Sequence, residues 1–97
     1  AVVVLKGPGT VVASPEGACR VNTTGGSALA KGGTGDILAG MVVSLLGQKL
    51  PAFDAACLAV YLHGLAGDLA ARDLTDYCVT PEDLLFYLPM AIKAVLL

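Results

Sequence analysis

Charged and aromatic residues are scarce in this sequence, which has the length of about one small domain. Its 97 residues include no tryptophan and one histidine, and only 14% are charged. Six basic residues against eight acidic ones leave a net charge of −2. This balance argues against a nucleic-acid-binding arm or a polybasic membrane anchor, so we expect neither nucleic acid nor membrane as a partner.

The three cysteines, Cys19, Cys57 and Cys78, are odd in number and form no CxxC pair. A disulfide framework or a zinc site is therefore not expected, and no residue is assigned as a metal ligand. We predict instead that the three thiols are small buried or half-buried apolar groups.

No apolar run has the length and composition of a membrane span. The longest, Ala55–Ala71, is interrupted by His63, Gly64, Gly67 and Asp68, whereas a spanning helix needs about 20 predominantly apolar residues. The first residues, AVVVLKG, lack the basic start of a secretory signal. The sequence therefore predicts a cytoplasmic protein.

Apolar residues, in contrast, make up 56% of the chain, and 12 further residues are glycine. Disordered chains lack this apolar content. A domain this small buries only about 60% of the surface that its unfolded chain exposes. The surplus predicts that Val2–Leu5 and the helix at Ala55–Ala71 contact a partner segment or a neighbouring subunit.

Short strands are predicted first and helices afterwards. Ala1–Leu5 is wholly apolar and rich in valine, which is typical of a strand buried on both faces. Glycine and proline then mark turns, the second being Ser14–Gly17 with proline at its second position. We predict a small antiparallel hairpin sheet with strands at Ala1–Leu5, Thr10–Ala13 and Ala18–Val21.

Three helices follow a glycine-rich segment. They are predicted from Asp36 to Leu46 with Gly47 as C-cap, from Pro51 to about Arg72, and after Thr80. The second helix is apolar nearly all round, which indicates a buried helix, and Asp68 and Arg72 are spaced to pair on it. In the third, Thr80 and Asp83 form a capping box and Pro89 predicts a kink or break.

The glycine-rich segment Lys31-Gly32-Gly33-Thr34-Gly35-Asp36 leads directly into the first helix. Glycines let backbone N–H groups converge, and a helix N-terminus carries about half a positive charge. Together these features predict an anion site suited to phosphate. The spacing matches neither the P-loop nor the dinucleotide-binding fingerprint.

Two roles are open for Asp36. A carboxylate in the first turn of a helix is stabilised by the helix dipole, which needs no chemical role. Beside a phosphate site, however, it repels the ligand, and an ionised aspartate there can accept the proton of a hydroxyl that attacks a phosphoryl group.

The turn Lys6–Thr10 follows the first strand. Ligands of open α/β sheets bind near the carboxyl ends of strands. This turn therefore either contacts the same nucleotide or only connects two strands.

LKGPGT, followed by NTTGGSALAKGGTGDILAG and AVYLHGLAGDLAA, resembles the ADP-dependent NAD(P)H-hydrate dehydratases of the ribokinase-like superfamily. The resemblance covers Val2 to about Leu88. It implies an α/β fold in which residues 1–97 are the C-terminal portion of a single ribokinase-like α/β/α sandwich, with most of the central sheet lying before Ala1. Short strands, a glycine-rich anion-hole loop and three helices make up this portion.

The resemblance implies a repair lyase that dehydrates the 6-hydrated form of NADH or NADPH. ADP, or ATP in some branches, is the phosphoryl donor, and Mg²⁺ accompanies the transfer. Asp36 is then the catalytic residue, which contacts the hydrated nicotinamide and activates its hydroxyl. The implied nucleotide contacts are Lys6, Gly7, Pro8, Gly9, Thr10 and Gly35, and the implied anion hole is Gly32, Gly33, Thr34 and Gly35.

Two residues, Lys31 and His63, each have two possible roles. Lys31 departs from the family's usual loop sequence, and it either strengthens phosphate binding or is a solvated side chain. His63 belongs to an HG…GD pattern that matches a family helix, where the two glycines allow another backbone to come close. His63 itself is either a packed histidine or a catalytic one.

Two other functions remain open at this stage. The same Asp36 and anion hole would serve a ribokinase-like kinase of a small alcohol, such as a vitamin precursor or a sugar. A non-catalytic nucleotide-binding piece is the other alternative. For either enzyme we expect a homo-oligomer or association with the N-terminal part of the same domain.

Overall fold

A computed structural model of the chain describes residues 2–5, 10–26, 34–75 and 78–96. Three short strands come first: β1 (Val3–Leu5), β2 (Val11–Ala13) and β3 (Cys19–Val21). Three helices follow: α1 (Thr34–Gly47), α2 (Ala52–Leu74) and α3 (Pro81–Leu96). The predicted order of strands and then helices is confirmed.

The strands form one antiparallel sheet in the order β1-β2-β3. Leu5 lies opposite Val11, and Val11 opposite Val21. Between β2 and β3 the predicted tight turn is present, because the Gly17 N–H donates to the Ser14 carbonyl at 3.1 Å. Gly17 has a φ of 94°, a conformation that glycine adopts without strain.

Only one face of β1 is covered. Val4 packs with Val12, which is 1% exposed, in a core between the sheet and the helices. On the other face Val3 is 49% exposed and Leu5 is 61% exposed. The prediction of a strand buried on both faces is therefore wrong for this chain, because α1 and α2 pack on the side of Val4 and Val12 and no described element covers the other side.

α2 is the central element of the fold. It packs against α1, α3 and β2, so its apolar residues are covered from several directions and the predicted buried helix is confirmed. Its buried residues are mostly small: Ala55, Ala56, Ala59, Val60, Leu62, His63, Gly64, Ala66, Gly67 and Ala70. The second core cluster joins α2 to Val79 and to Leu84 and Tyr87 of α3.

α3 begins with the predicted capping box. The Thr80 N–H donates to Asp83 Oδ2 at 2.8 Å, and the Asp83 N–H donates to Thr80 Oγ1 at 3.3 Å. α3 then continues through Pro89 to Leu96, so of the two predicted effects of this proline the break does not occur. Leu85 and Pro89 both lie on the exposed side, where water can satisfy the carbonyl that proline leaves without its usual partner.

The end of α1 differs from the sequence-based expectation. Gly47 is its last helical residue, and the left-handed conformation belongs to Lys49, which has a φ of 67°. The Lys49 N–H donates to the Leu46 carbonyl at 2.9 Å, which closes the helix end. Among the helices described, none is long and apolar enough to cross a membrane.

Candidate nucleotide and phosphate site

The first and third strands end at the same end of the sheet, where the chain continues toward the two predicted ligand loops. β1 ends at Leu5, just before the Lys6–Thr10 turn, and β3 ends at Val21, just before the polar segment that begins at Asn22. The Asn22 N–H donates to the Thr10 carbonyl at 2.7 Å. The end of the Lys6–Thr10 turn and the start of the segment that leads to the glycine-rich loop therefore lie side by side.

Of the candidate residues in the first loop, the structure describes Thr10. Thr10 is half-buried and its carbonyl is engaged by Asn22. Lys6, Gly7, Pro8 and Gly9 lie outside the described residues, and their assignment as nucleotide contacts stays a prediction.

α1 begins two residues earlier than the sequence indicated, at Thr34. Thr34, Gly35 and Asp36 consequently form its first turn, where backbone N–H groups have no partner within the helix and can bind an anion. Gly35 is half-buried and Asp36 is exposed. Lys31, Gly32 and Gly33 lie outside the described residues.

The segment that leads toward the glycine-rich loop is held against α2. Thr24 Oγ1 donates to the Tyr61 carbonyl at 2.9 Å, and the Gly25 N–H donates to Asp68 Oδ2 at 2.9 Å. Asn22 Nδ2 donates to the Thr24 carbonyl at 3.0 Å. The predicted pair between Asp68 and Arg72 is wrong, because Arg72 Nε instead contacts Asp73 Oδ1 at 3.4 Å.

A cavity of about 540 Å³ lies between β2, β3 and the first half of α2. Its walls combine apolar and polar side chains, including Val12, Phe53, Tyr61, Arg20, Asn22 and Thr23. Volumes of this size are typical of small-molecule sites. Because the cavity is built from residues that lie far apart in the sequence, no sequence motif indicated it.

Cys57 also lines this cavity. Burial raises the pKa of its thiol above the ordinary value, and Asp54 raises this pKa further while Arg20 lowers it. The protonated thiol is a poor nucleophile. Cys57 is half-buried as predicted, whereas Cys19 and Cys78 are exposed, contrary to the prediction for them.

His63 lies in the interior of α2 and is 7% exposed. Its neighbour Gly64 allows a close approach, since a Cβ at this glycine would lie 2.7 Å from the carbonyl carbon of Thr24. This confirms the packing role predicted for that glycine. Within the part of the chain that the structure describes, no group of three or more His, Cys, Asp and Glu residues is arranged to hold a metal.

Comparison with known proteins gives a consistent result. A family model described as NAD(P)H-hydrate dehydratase matches residues 1–90. The chain is 44% identical over 93 residues to the bifunctional NAD(P)H-hydrate repair enzyme Nnr of Moorella thermoacetica, covering 96% of this chain and 18% of that protein. It is 51% identical over 69 residues to the ADP-dependent (S)-NAD(P)H-hydrate dehydratase of Neisseria meningitidis, covering 71% of this chain and 23% of that protein.

Among solved structures, the chain superposes on the ADP/ATP-dependent NAD(P)H-hydrate dehydratase of Bacillus subtilis, which was co-crystallised with ATP and Mg²⁺. The TM-score is 0.91 at 42% identity, and the match covers 96% of this chain and 34% of that one. The predicted α/β fold of the ribokinase-like type is thereby confirmed. The chain spans between 18% and 34% of the length of these three proteins.

Proposed function

The chain belongs to the NAD(P)H-hydrate dehydratase family, and on that basis we propose that it provides the phosphoryl-transfer part of an ADP-dependent NAD(P)H-hydrate dehydratase. Residues 1–97 are then the C-terminal portion of one ribokinase-like domain. The observation that supports the proposal most directly is the hydrogen bond between Asn22 and Thr10, which joins, at one end of the sheet, the end of the Lys6–Thr10 turn to the start of the segment that leads to Lys31–Asp36. The cytoplasmic location remains a prediction from the sequence.

The nucleotide is proposed to bind across this end of the sheet. The first turn of α1 offers backbone N–H groups and a positive dipole end to its phosphates, with Thr34 and Gly35 contributing. The Lys6–Thr10 turn and the pair Gly32–Gly33 would complete the contacts. The adjoining cavity of about 540 Å³ has the volume and the apolar walls that the base of a nucleotide requires.

Asp36 is proposed as the catalytic base. Its exposed carboxylate accepts the proton of the hydrate's hydroxyl as that oxygen bonds to the terminal phosphorus of ADP and AMP leaves. The phosphorylated compound then loses inorganic phosphate and a proton from the adjacent ring carbon, which restores the nicotinamide double bond.

The residues described near the start of α1 suit a magnesium ion that enters with the nucleotide. Mg²⁺ usually keeps several waters and binds through one or two carboxylates together with substrate phosphates. Asp36 lies beside the phosphates as the base and not as a ligand, and no group of three or more ligand side chains occurs among the described residues, so the ion would be held mainly by the phosphates and by water. When bound, the ion neutralises charge on the phosphates.

The function is tested by supplying the full-length protein with ADP, Mg²⁺ and hydrated NADH. A dehydratase releases phosphate and restores the near-ultraviolet absorbance of NADH. A small-alcohol kinase, the second candidate, shares Asp36 and the anion hole but leaves a stable phosphorylated product. Binding of ADP without either product would indicate the non-catalytic alternative and contradict the proposal.

The exposed apolar surfaces support association with further polypeptide of the same domain or with a second copy. One surface is the free face of the sheet, with Val3, Leu5 and Val21, and the other follows α3 from Leu85 and Phe86. The contact predicted at α2 is not supported, because α1, α3 and β2 already bury that helix.

We expect the 97-residue chain, prepared by itself, to self-associate or to bind the remainder of such a domain. Sedimentation velocity measures this directly, because burial of the two apolar surfaces stabilises an assembly over the free chain. Monodisperse monomers of the folded chain would contradict the expectation.

A further inference from the structure

One side of α2 holds the segment that enters the glycine-rich loop. Tyr61, Gly64 and Asp68 are spaced three and four residues apart, which places them on the same side of the helix. We propose that Asp68 is a positioning residue for phosphate binding, which fixes the backbone at Gly25 and thereby the entry to the loop. This inference rests on the proposed nucleotide site at the start of α1.

Three contacts along this side of α2 hold the segment in sequence order. Thr24 Oγ1 donates to the Tyr61 carbonyl at 2.9 Å. The Thr24 backbone passes so close to Gly64 that a Cβ added to this glycine would lie 2.7 Å from the Thr24 carbonyl carbon. One turn further along, the Gly25 N–H donates to Asp68 Oδ2 at 2.9 Å. Among the residues that the structure describes, Asp68 thus makes the last contact on the way to the glycine-rich loop.

The conformation of Gly25 makes this last contact specific. Its φ of 95° lies in a region that side-chain-bearing residues rarely adopt. The direction of the Gly25 N–H is therefore set by a turn that only glycine makes easily, and the carboxylate of Asp68 receives it. Because aspartate is a weak helix former in the interior of a helix, helix propensity does not account for Asp68 at this position, whereas the hydrogen bond from Gly25 does.

The loop has two described ends. At one end, Gly26 follows the hydrogen bond between Gly25 and Asp68. At the other end, Thr34 begins α1, whose first N–H groups would bind phosphate. Residues 27–33 connect these points, so a shift at Gly25 moves the start of the connection relative to α1. Phosphate binding depends on the geometry of several converging N–H groups and is sensitive to such a shift.

The test compares Asp68→Ala with Asp68→Asn in the full-length protein. Alanine removes the acceptor, and we expect ADP to bind about tenfold more weakly in isothermal titration calorimetry, the change that about 1.4 kcal/mol corresponds to. Asparagine keeps a side-chain oxygen that accepts from Gly25 and should restore most of the affinity. In steady-state assays the KM for ADP should rise more than kcat falls, and the Gly25 amide resonance should move further in the alanine variant than in the asparagine variant.

Glu82→Ala is the matched control, because Glu82 is an exposed carboxylate on α3. It should change neither ADP affinity nor the Gly25 resonance. Unchanged ADP binding by Asp68→Ala, with wild-type protein binding normally, would overturn the positioning role and leave the proposed function standing. A wild-type protein that binds no ADP would overturn both.

Discussion

Asp36→Asn is expected to lower turnover by about 10²–10⁴-fold, the usual contribution of general acid–base catalysis. The amide has nearly the shape of the carboxylate but cannot accept the hydroxyl proton. ADP binding should be unchanged or tighter, because the substitution removes a negative charge beside the phosphates. Turnover is measured as NADH recovered per unit time, and ADP affinity by calorimetry on the same protein.

Stability should hardly change in this variant. Asp36 is exposed in the first turn of α1, where a carboxylate adds about 0.3–1 kcal/mol through the helix dipole. Glu82→Gln removes the equivalent charge from the first turn of α3 and should leave turnover intact. If Asp36→Asn and Glu82→Gln both keep full turnover, Asp36 is only a dipole partner and the assignment as base fails.

Gly64→Ala is expected to destabilise the fold by about 1–3 kcal/mol, as overpacking of a filled site does. The new methyl group would clash with the backbone and side chain of Thr24. α2 cannot move away to relieve the clash, because Ala59 and Ala66 are already buried in the core. The displaced segment also carries Gly25, so ADP affinity should fall with stability. Urea unfolding followed by circular dichroism measures the first effect.

Gly40→Ala is the matched control within the same fold. Gly40 is an exposed helical glycine of α1, and a Cβ added there meets no atom within 4 Å. Alanine should therefore stabilise the protein by up to about 1 kcal/mol, the difference in helix propensity between the two residues. If the free energy of unfolding falls in Gly64→Ala and rises in Gly40→Ala, the contact with Thr24 is the cause of the destabilisation. A stabilised Gly64→Ala would mean that the segment does not lie against α2.

Features that depend on neighbouring residues were predictable. The capping box of Thr80 and Asp83 involves groups within one helical turn, as does the start of α2, which lies at Ala52, one residue after the predicted Pro51. The turn at Ser14–Gly17 is equally local. Their residue types determine hydrogen bonding and φ directly, so no knowledge of the remaining chain is required.

Contacts for which several hydrogen-bonding or ionic partners compete were not predictable from the sequence. Asp68 was expected to pair with Arg72 by helical spacing, but a fixed backbone N–H from Gly25 binds it instead. An exposed pair of flexible ions stabilises little. Pro89 likewise remains inside α3.

The amino-acid sequence alone indicated the order of strands and helices, the anion-binding character of the glycine-rich segment and Asp36 as the candidate base, because glycine content, helix starts and the family's motifs are local properties. Tertiary structure decided which elements meet. The backbones of Thr10 and Asn22 meet at one end of the sheet, α2 holds the segment at Thr24 and Gly25 through Gly64 and Asp68, and a cavity opens between sheet and helix. These contacts join residues far apart in the chain, and their partners are determined only when the whole core packs.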